Sequence, residues 1–295
     1  MLQSKAFDRF ASIFLGCLVV ITLLPIVLIV ISSFTAEDAL IQNGYSFWPQ
    51  EWSLDAYYYM VKQGAVILRS YGVSIFVTVV GTLCSVLITT MLAYPMSRKS
   101  FKYRNVLSFF VFFTMLFNGG LVASYYVYSN IFHIKNTIWA LIVPTFLMSP
   151  FNVVLVKNYF SNSISPSILE AARMDGAGVF AVFTKIVMPL SVPIMATVGL
   201  MTAIGYWNDW TNGLYYLTEN GGAQYYTIQL VLNRINENIN FMANNSDVAA
   251  KAAQQLPSTT MRMAIAVIGI LPIMCAYPFF QKYFVKGITL GGVKE

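Results

Sequence analysis

The sequence has few charged residues, three cysteines and a single histidine. Charged residues make up 10% of its 295 positions, whereas soluble domains carry about 25%. Hydrophobic residues make up 57%, and the mean hydropathy is +0.65. Cys17, Cys84 and Cys275 lie inside apolar runs and His133 is alone, so neither a disulfide framework nor a zinc site is expected. The composition therefore predicts a membrane protein without cysteine or histidine chemistry.

Sequence signatures of catalysis are missing as well. No GxxxxGK[ST] phosphate loop, HExxH zinc motif or GxSxG elbow occurs, so the chain is not expected to hydrolyse ATP or to act as an enzyme. The long apolar runs have no ionisable residue at their centres, which argues against a proton- or ion-coupled transporter. A channel, or a permease driven by another subunit, remains.

The charges divide the chain into stretches that are long enough to cross a bilayer as helices, which takes roughly 20 residues. Ten-residue segments of alternating polarity, the mark of a membrane barrel, are absent. We therefore predict an all-α membrane protein with six transmembrane helices, the first of them uncleaved. The charge-free stretches are 10–36, 70–97, 105–134, 136–156, 186–208 and 263–281.

Lysine and arginine set the orientation, because cytoplasmic loops carry an excess of both. Placing the N-terminus inside puts twelve of them on the inner side and six on the outer side. Both termini are therefore predicted to be cytoplasmic, and the net charge of +6 needs no nucleic-acid partner. The inner residues are Lys5, Arg9, Arg98, Lys99, Lys102, Arg104, Lys157, Arg173, Lys185, Lys282, Lys286 and Lys294.

Helix breakers are prominent in the third and fourth predicted spans. Asn118-Gly119-Gly120 interrupts the third, which predicts either a broken helix that lines a cavity or a plain kink against a neighbour. The fourth is predicted at about 138–157 although it contains Pro144 and Pro150. The sixth is predicted at 263–281, followed by a flexible tail with Gly287, Gly291 and Gly292.

A short helix is predicted on the cytoplasmic side, between the fourth and fifth spans. Ser165-Pro166 is typical of a helix start, and Asp175-Gly176 of a helix end. Ile168, Ala171 and Ala172 are expected to form a small apolar face, with Glu170 and Arg173 off that face. A helix of about nine residues is unstable alone in water. It needs a surface, either on a protein partner or on the inner leaflet.

The short helix resembles the EAA motif, EAA---G---------I-LP, of permease subunits in bacterial ABC importers. Met188 stands where the pattern has leucine, a substitution that conserves volume. Other parts of the chain are similar to maltose-transporter-type carbohydrate permeases, and in places to their complex-sugar branch. The matching residues are Glu170, Ala171, Ala172, Gly176, Ile186 and Pro189, together with Tyr206–Asp209, Tyr283–Lys294 and Asn118–Leu121.

The resemblance implies a bacterial cell-membrane importer. Its parts would be this chain, a second homologous permease, two ATPase subunits that bind ATP and Mg²⁺, and an extracellular solute-binding protein. The short helix would dock into an ATPase cleft and transmit ATPase closure, and the tail would contact the ATPase dimer. The ATPase-coupling residues implied are Glu170, Ala171, Ala172, Asp175, Gly176 and Pro189, and those of the tail are Gly287, Gly291, Gly292 and Lys294.

The predicted organisation has three parts. Residues 1–70 form the first span and an outer segment, residues 71–285 form a five-helix permease core, and residues 286–295 form a cytoplasmic tail. The core includes the coupling loop 158–189 and the outer loop 211–261, which the resemblance relates to a loop that probes the binding protein.

The resemblance implies a carbohydrate as the solute, an oligosaccharide or complex sugar. Aromatic rings and amides are its candidate contacts, since rings stack on sugar CH faces and amides bond hydroxyls. The same aromatic residues are also typical of interfacial anchors. An importer of another solute, and a scaffold or channel without ATP coupling, stay open. The substrate-pathway residues are Asn118, Tyr125, Tyr126, Trp207 and Asn208.

Overall fold

The computed structural model describes residues 5–62, 64–244 and 258–292, and in these ranges the chain is helical. Among these residues, extended backbone pairs at one isolated antiparallel β-bridge, between Thr35 and Trp52. The α-helices are α1 (Lys5–Ser33), α2 (Glu37–Asn43), α3 (Asp55–Lys62), α4 (Gly64–Ser97), α5 (Arg104–Leu116), α6 (Gly120–Tyr126), α7 (Trp139–Ile142), α8 (Pro150–Ser163), α9 (Pro166–Met174), α10 (Val179–Val182), α11 (Met188–Leu190), α12 (Val192–Asn208), α13 (Thr211–Tyr216), α14 (Glu219–Gly222), α15 (Ile228–Asn244) and α16 (Ser258–Gly292).

Two helices in the described ranges are long and apolar enough to cross a membrane, Arg9–Ser33 within α1 and all of α4. Two bent pairs raise the number to four if each pair is one span, and a shorter apolar helix covers Thr259–Cys275. The all-α membrane class is therefore confirmed. In α1, none of the most apolar 18-residue window is buried against the rest of the described chain.

The third predicted span is broken at the predicted glycines. Arg104–Leu116 and Gly120–Ile131 meet at 118°. Gly120 has a φ of +79°, which favours glycine, and its N–H donates to Oδ1 of Asn118 at 2.8 Å. The break is thus fixed by local backbone chemistry.

The fourth predicted helix, 138–157, is wrong as a single element. The chain forms the short helix α7 and then, from Pro150, helix α8. Pro144 has no N–H to continue a helix, and Thr145 has a φ of +68°, which a β-branched residue rarely adopts. Pro150 also keeps Ser149 extended, with ψ at 121°. The two prolines therefore end one helix and start the next.

The sixth predicted helix is longer than expected at its C-terminal end. Its predicted end was residue 281, but α16 continues to Gly292. Gly287, Gly291 and Gly292 therefore belong to a helix rather than to a flexible tail, while Lys294 lies outside the described residues. The outer loop 211–261 contains α13, α14 and α15.

The chain divides into two compact units. The first comprises Met1–Ile67 and Leu232–Pro272, and the second Leu68–Val231 and Ile273–Glu295. In the first unit, the Phe34 and Tyr57 rings stack with centroids 4.8 Å apart, and the Ser33 and Tyr57 hydroxyls are 2.7 Å apart. These contacts hold the end of α1 on α3.

Glu37, also in the first unit, caps the start of α16. Its carboxylate accepts from the Thr259 N–H, the Thr260 N–H and the Thr260 hydroxyl, each at 2.8 Å. Free N–H groups at a helix N-terminus favour a negative charge. Burial raises the pKa of Glu37, but the hydrogen bonds from Thr260 and Thr259 outweigh it, so the net pKa lies below its ordinary value.

Replacing Glu37 by alanine is expected to destabilise the first unit by about 1–2 kcal/mol, the usual cost of losing a charged cap. Because its folded pKa is lowered, the contribution of Glu37 is present at neutral pH and is lost as the pH falls through that pKa. Thermal unfolding in detergent at several pH values measures both effects. Asp38→Ala, which removes the exposed neighbouring carboxylate, is the control and should have little effect.

Two apolar clusters lie among the described residues of the second unit. One joins α4, α8, α10 and α12 through buried residues that include Ala93, Val153, Phe160, Val182 and Val198. The other surrounds Tyr206, which is 1% exposed and donates its hydroxyl to the carbonyl of Ile142 at 2.7 Å. A Cβ added at Gly81 would lie 2.5 Å from the Tyr206 ring. Glycine at this position is therefore what lets α4 approach α12.

Candidate functional site

Helix α9 has the predicted start. Ser165 occupies the N-cap position with extended backbone angles, and Pro166 is the first helical residue. The Ser165 hydroxyl pairs with that of Ser167 at 2.7 Å and makes no cap to the backbone. Proline at the first position has no N–H to leave unpaired, so the helix starts where the sequence predicts.

Helix α9 packs on its own chain through Leu169, a residue that the sequence did not single out. Leu169 is 4% exposed and belongs to the first apolar cluster, and Ala172 packs against it. Ile168 is 45% exposed, and Ala171 and Glu170 are exposed as well. The predicted small apolar face of Ile168, Ala171 and Ala172 is exposed at its first two positions, and its docking on an outside surface stays a prediction. Leu169 and Ala172, spaced i and i+3, form the inner stripe, and Ile168 and Ala171 lie outside.

The end of α9 is a Schellman motif. The N–H of Gly176 donates to the carbonyl of Arg173 at 3.0 Å, and the N–H of Ala177 donates to the carbonyl of Ala172 at 2.9 Å. Asp175 occupies the C-cap, and Gly176 has a φ of +80°. A Cβ at Gly176 would meet no atom within 4 Å, so the backbone angle alone requires glycine.

The segment after Gly176 connects α9 to the α12 helix through a bend. Val179–Leu190 and Val192–Asn208 meet at 77°, and Pro189 lies in α11, two residues before the break at Ser191. A π-helical turn, Phe183–Val187, precedes it. Ile186 and Met188 pack against the first apolar cluster. The first apolar cluster therefore contacts both Leu169 of α9 and the segment that leads into α12.

The outward surface beside α9 is apolar and exposed. Met174 is 88% exposed, Val179 68% and Phe180 75%. Along the chain, these side chains lie on either side of the glycine turn at Gly176, just after Glu170 and Ala171. Apolar side chains grouped with one carboxylate on a short helix are typical of a protein contact surface.

A cluster of tyrosines lies elsewhere in the second unit. Tyr125 stacks on Tyr216 with ring centroids 5.8 Å apart, and Tyr128 meets Tyr216 edge-on at 6.0 Å. Nζ of Lys135 donates to the Tyr125 hydroxyl at 2.7 Å and lies 5.3 Å from that ring's centroid. The sequence pattern singled out Tyr125 but neither Lys135, 10 residues further along the chain, nor Tyr216, 91 residues further, because both contacts depend on how the chain between them folds.

Asn136 fixes the loop that carries Lys135. Its N–H donates to the carbonyl of Tyr216 at 3.0 Å, and its Oδ1 accepts from the N–H of Thr218 at 2.7 Å. Its φ of +58° is one that asparagine tolerates. These two hydrogen bonds fix the backbone next to Lys135 and so keep Lys135 beside the tyrosine rings.

The remaining pathway residues have varied surroundings. Asn118 supports the helix break, Tyr126 is 58% exposed and Asn208 is exposed. Trp207 is only 7% exposed, and its ring centroid lies 6.2 Å from that of Tyr71. Tyr125 and Trp207 thus have different aromatic neighbours. In the described ranges, no group of three or more His, Cys, Asp or Glu side chains could hold a metal ion.

Comparisons with known proteins agree over nearly the whole chain. Residues 2–290 match the family described as binding-protein-dependent transport system inner membrane component. Protein LplC of Bacillus subtilis (strain 168) is 38% identical over 290 residues, covering 98% of this chain and 95% of that protein.

Two further relatives add substrate names. The polygalacturonan/rhamnogalacturonan transport system permease protein YtcP of the same organism is 34% identical over 293 residues, covering 99% of this chain and all of that protein. A crystal structure of a bacterial ABC transporter involved in the import of the acidic polysaccharide alginate has a chain 29% identical, with a TM-score of 0.78, covering 96% of this chain and 98% of that one.

Proposed function

The chain belongs to the family of binding-protein-dependent transport system inner membrane components, and from this premise we propose that it is the permease subunit of an ATP-driven carbohydrate importer. Helix α9 carries the proposal. It is anchored inward by Leu169 and presents Glu170 and Ala171 outward. When a soluble partner displaces such a helix, the displacement is transmitted to the helices that it packs against.

The proposed mechanism is alternating access driven from outside the chain. ATP and Mg²⁺ bind to two partner ATPase subunits, and this chain binds no cofactor. ATPase closure moves the segment Glu170–Asp175, the glycine turn at Gly176 transmits the movement, and Pro189 lies at the bend into α12. Leu169 and Ala172 share a core with α4, α8 and α12, so a displacement of α9 has to be accommodated by those helices.

The proposed assembly contains a second homologous permease and an extracellular solute-binding protein, in the cell membrane of a bacterium. We propose six spans with both termini cytoplasmic, divided as 1–70, a core of 71–285 and a tail of 286–295, with the coupling loop 158–189 and the outer loop 211–261. The excess of Lys and Arg on one side supports this orientation. The tail residues proposed to contact the ATPases are Gly287, Gly291, Gly292 and Lys294.

Replacing Glu170 by alanine is expected to lower uptake at least tenfold while the subunit stays in the membrane. A hydrogen bond to a charged group contributes about 1.5–3 kcal/mol, and each 1.4 kcal/mol is about tenfold in an equilibrium. Gly176→Ala should act similarly, since a non-glycine residue at positive φ costs about 1–3 kcal/mol. Uptake, ATP hydrolysis and the amount of subunit in membranes are measured together.

Glu51→Ala provides the matched control, because Glu51 is an exposed carboxylate in the outer segment. It should leave uptake unchanged. Normal uptake with Glu170→Ala would contradict ATPase coupling through α9. If the chain copurifies neither an ATPase nor a second permease, the proposal fails in favour of a channel or scaffold.

For the substrate, we propose a carbohydrate that bears carboxylates. The proposed pathway residues are Asn118, Tyr125, Tyr126, Trp207 and Asn208. Tyrosine faces suit sugar CH groups, and the ammonium of Lys135 beside Tyr125 suits a sugar carboxylate. The alginate importer is a relative with an acidic substrate.

Replacing Lys135 by glutamine is expected to raise the KM for uronic-acid oligosaccharides about tenfold, the value of one charge-assisted hydrogen bond. The KM for neutral oligosaccharides should change less than twofold. Lys62→Gln is the control, since Nζ of Lys62 also lies over a tyrosine ring, that of Tyr58, at 4.7 Å. Equal losses for acidic and neutral sugars would exclude a carboxylate contact at Lys135.

A further inference from the structure

The second unit contains a cavity of about 530 Å³ beside α9. The ends of α4, α5 and α8 form its walls together with α9. One carboxylate, Glu170, lines it against five cationic side chains, which gives the lining a net charge of about +4. These cations are Arg98, Lys99, Arg104, Lys157 and Arg173.

Arg98, one of the five cations, has side-chain donors that no acceptor of the described residues satisfies. Its Nε and Nη2 are buried and have no hydrogen-bond partner, while its guanidinium carbon lies 4.7 Å from the centroid of the Tyr94 ring. Burial lowers the pKa of Arg98, and the nearby charge of Arg173 lowers it further. Buried N–H donors without acceptors are costly. The lining as a whole also has more cations than its one carboxylate can pair, so an anion in the cavity would offset their mutual repulsion.

The cavity also lies at a defined depth. Arg98 immediately follows α4, a 34-residue helix that is apolar and long enough to span a bilayer. Lipid phosphates lie at the end of such a helix. Guanidinium groups bind phosphate through paired N–H donors, and basic pockets between membrane helices bind anionic headgroups.

We propose that this basic cavity is a phosphate-binding site, filled either by the headgroup of an anionic phospholipid or by free inorganic phosphate. Leu169 and Arg173 of α9 line the same cavity, so an anion bound there ties α9 to the ends of α4 and α5. Occupancy therefore stabilises the position of α9. The site goes beyond the proposed transport function, and binding can be measured without any transport.

The test uses the full importer complex in nanodiscs and has three arms. The first contains phosphatidylcholine alone, the second adds phosphatidylglycerol, and the third adds inorganic phosphate to phosphatidylcholine alone. Native mass spectrometry counts bound lipid, and hydrogen exchange of 166–177 reports on α9. Arg98→Gln is compared with Lys102→Gln, which removes a charge from the same basic segment but does not line the cavity.

We expect Arg98→Gln to weaken phosphatidylglycerol retention about tenfold and to abolish the protection of α9, with Lys102→Gln close to wild type. Protection by inorganic phosphate alone, lost in Arg98→Gln, would support the site with free phosphate as its ligand. Equal losses in both variants would overturn it, because surface attraction would then explain the binding.

Two other results would also overturn the proposal. One is anion binding and α9 protection unaffected by Arg98→Gln. The other is loss of the ATPase from the purified complex in Arg98→Gln with lipid retention unchanged, which would assign the cavity to an acidic side chain of that partner. Arg173→Gln provides a second cavity variant if Arg98→Gln fails to accumulate.

Discussion

Replacing Leu169 by alanine is expected to detach α9 from the second unit and to lower uptake at least tenfold. Leu169 is 4% exposed, and a buried leucine replaced by alanine costs about 2–5 kcal/mol. A nine-residue helix has little stability of its own. The loss therefore falls on the docking of α9 rather than on the whole unit, and shifts the docking equilibrium by about thirtyfold to a few thousandfold.

Hydrogen exchange of residues 166–177 in the absence of ATPase measures that docking directly. Ile168→Ala is the matched control, because it deletes a side chain of the same size that is 45% exposed. It should leave exchange unchanged, even if uptake falls through a weaker partner contact. Equal exchange in the two variants would mean that Leu169 does not anchor α9.

Replacing Gly81 by alanine is expected to destabilise the second unit by about 1–3 kcal/mol, the usual cost of overpacking. The new Cβ would lie 2.5 Å from Cζ of Tyr206. The ring cannot turn aside without losing its 2.7 Å hydrogen bond to Ile142, and Phe146 packs 5.2 Å from it, centroid to centroid. Replacement by valine should be worse and reduce the amount of protein in the membrane.

Gly72→Ala is the control on the same helix, since a Cβ there would meet nothing within 4 Å. It should be neutral or stabilising, because alanine favours helix over glycine by about 1 kcal/mol. Tyr206→Leu should partly rescue Gly81→Ala in thermal unfolding. Additive losses in the double variant would contradict direct contact between the two positions.

Local signals predicted α9 well, and tertiary contacts explain what they missed. Ser165-Pro166 and Asp175-Gly176 fix the helix ends through backbone chemistry that any context preserves. The choice of buried face does not follow from such signals, because both Leu169 with Ala172 and Ile168 with Ala172 have helical spacing. Only the positions of Phe160 and Val182 in the fold favour the first pair.

The apolar stretches show a second limit of the sequence. Absence of charge predicts that a segment belongs in a membrane, but not that it is one straight helix. In the stretch 136–156 the backbone of Thr145 takes a positive φ, next to Phe146, whose ring packs against Tyr206. In the third stretch the break itself could be predicted, because glycine permits the positive φ that the break requires.

The exposure of α1 sets how freely its sequence can vary. The most apolar window of this helix has no residue buried against the described chain, so no neighbour in the chain distinguishes leucine from isoleucine, valine or phenylalanine there. A library that shuffles these four residues along α1 should yield mostly folded chains. Around Gly81 and Tyr206 the same exchange would prevent folding at nearly every position. Any position in α1 that accepts only some of the four residues would therefore mark the surface that contacts a partner subunit.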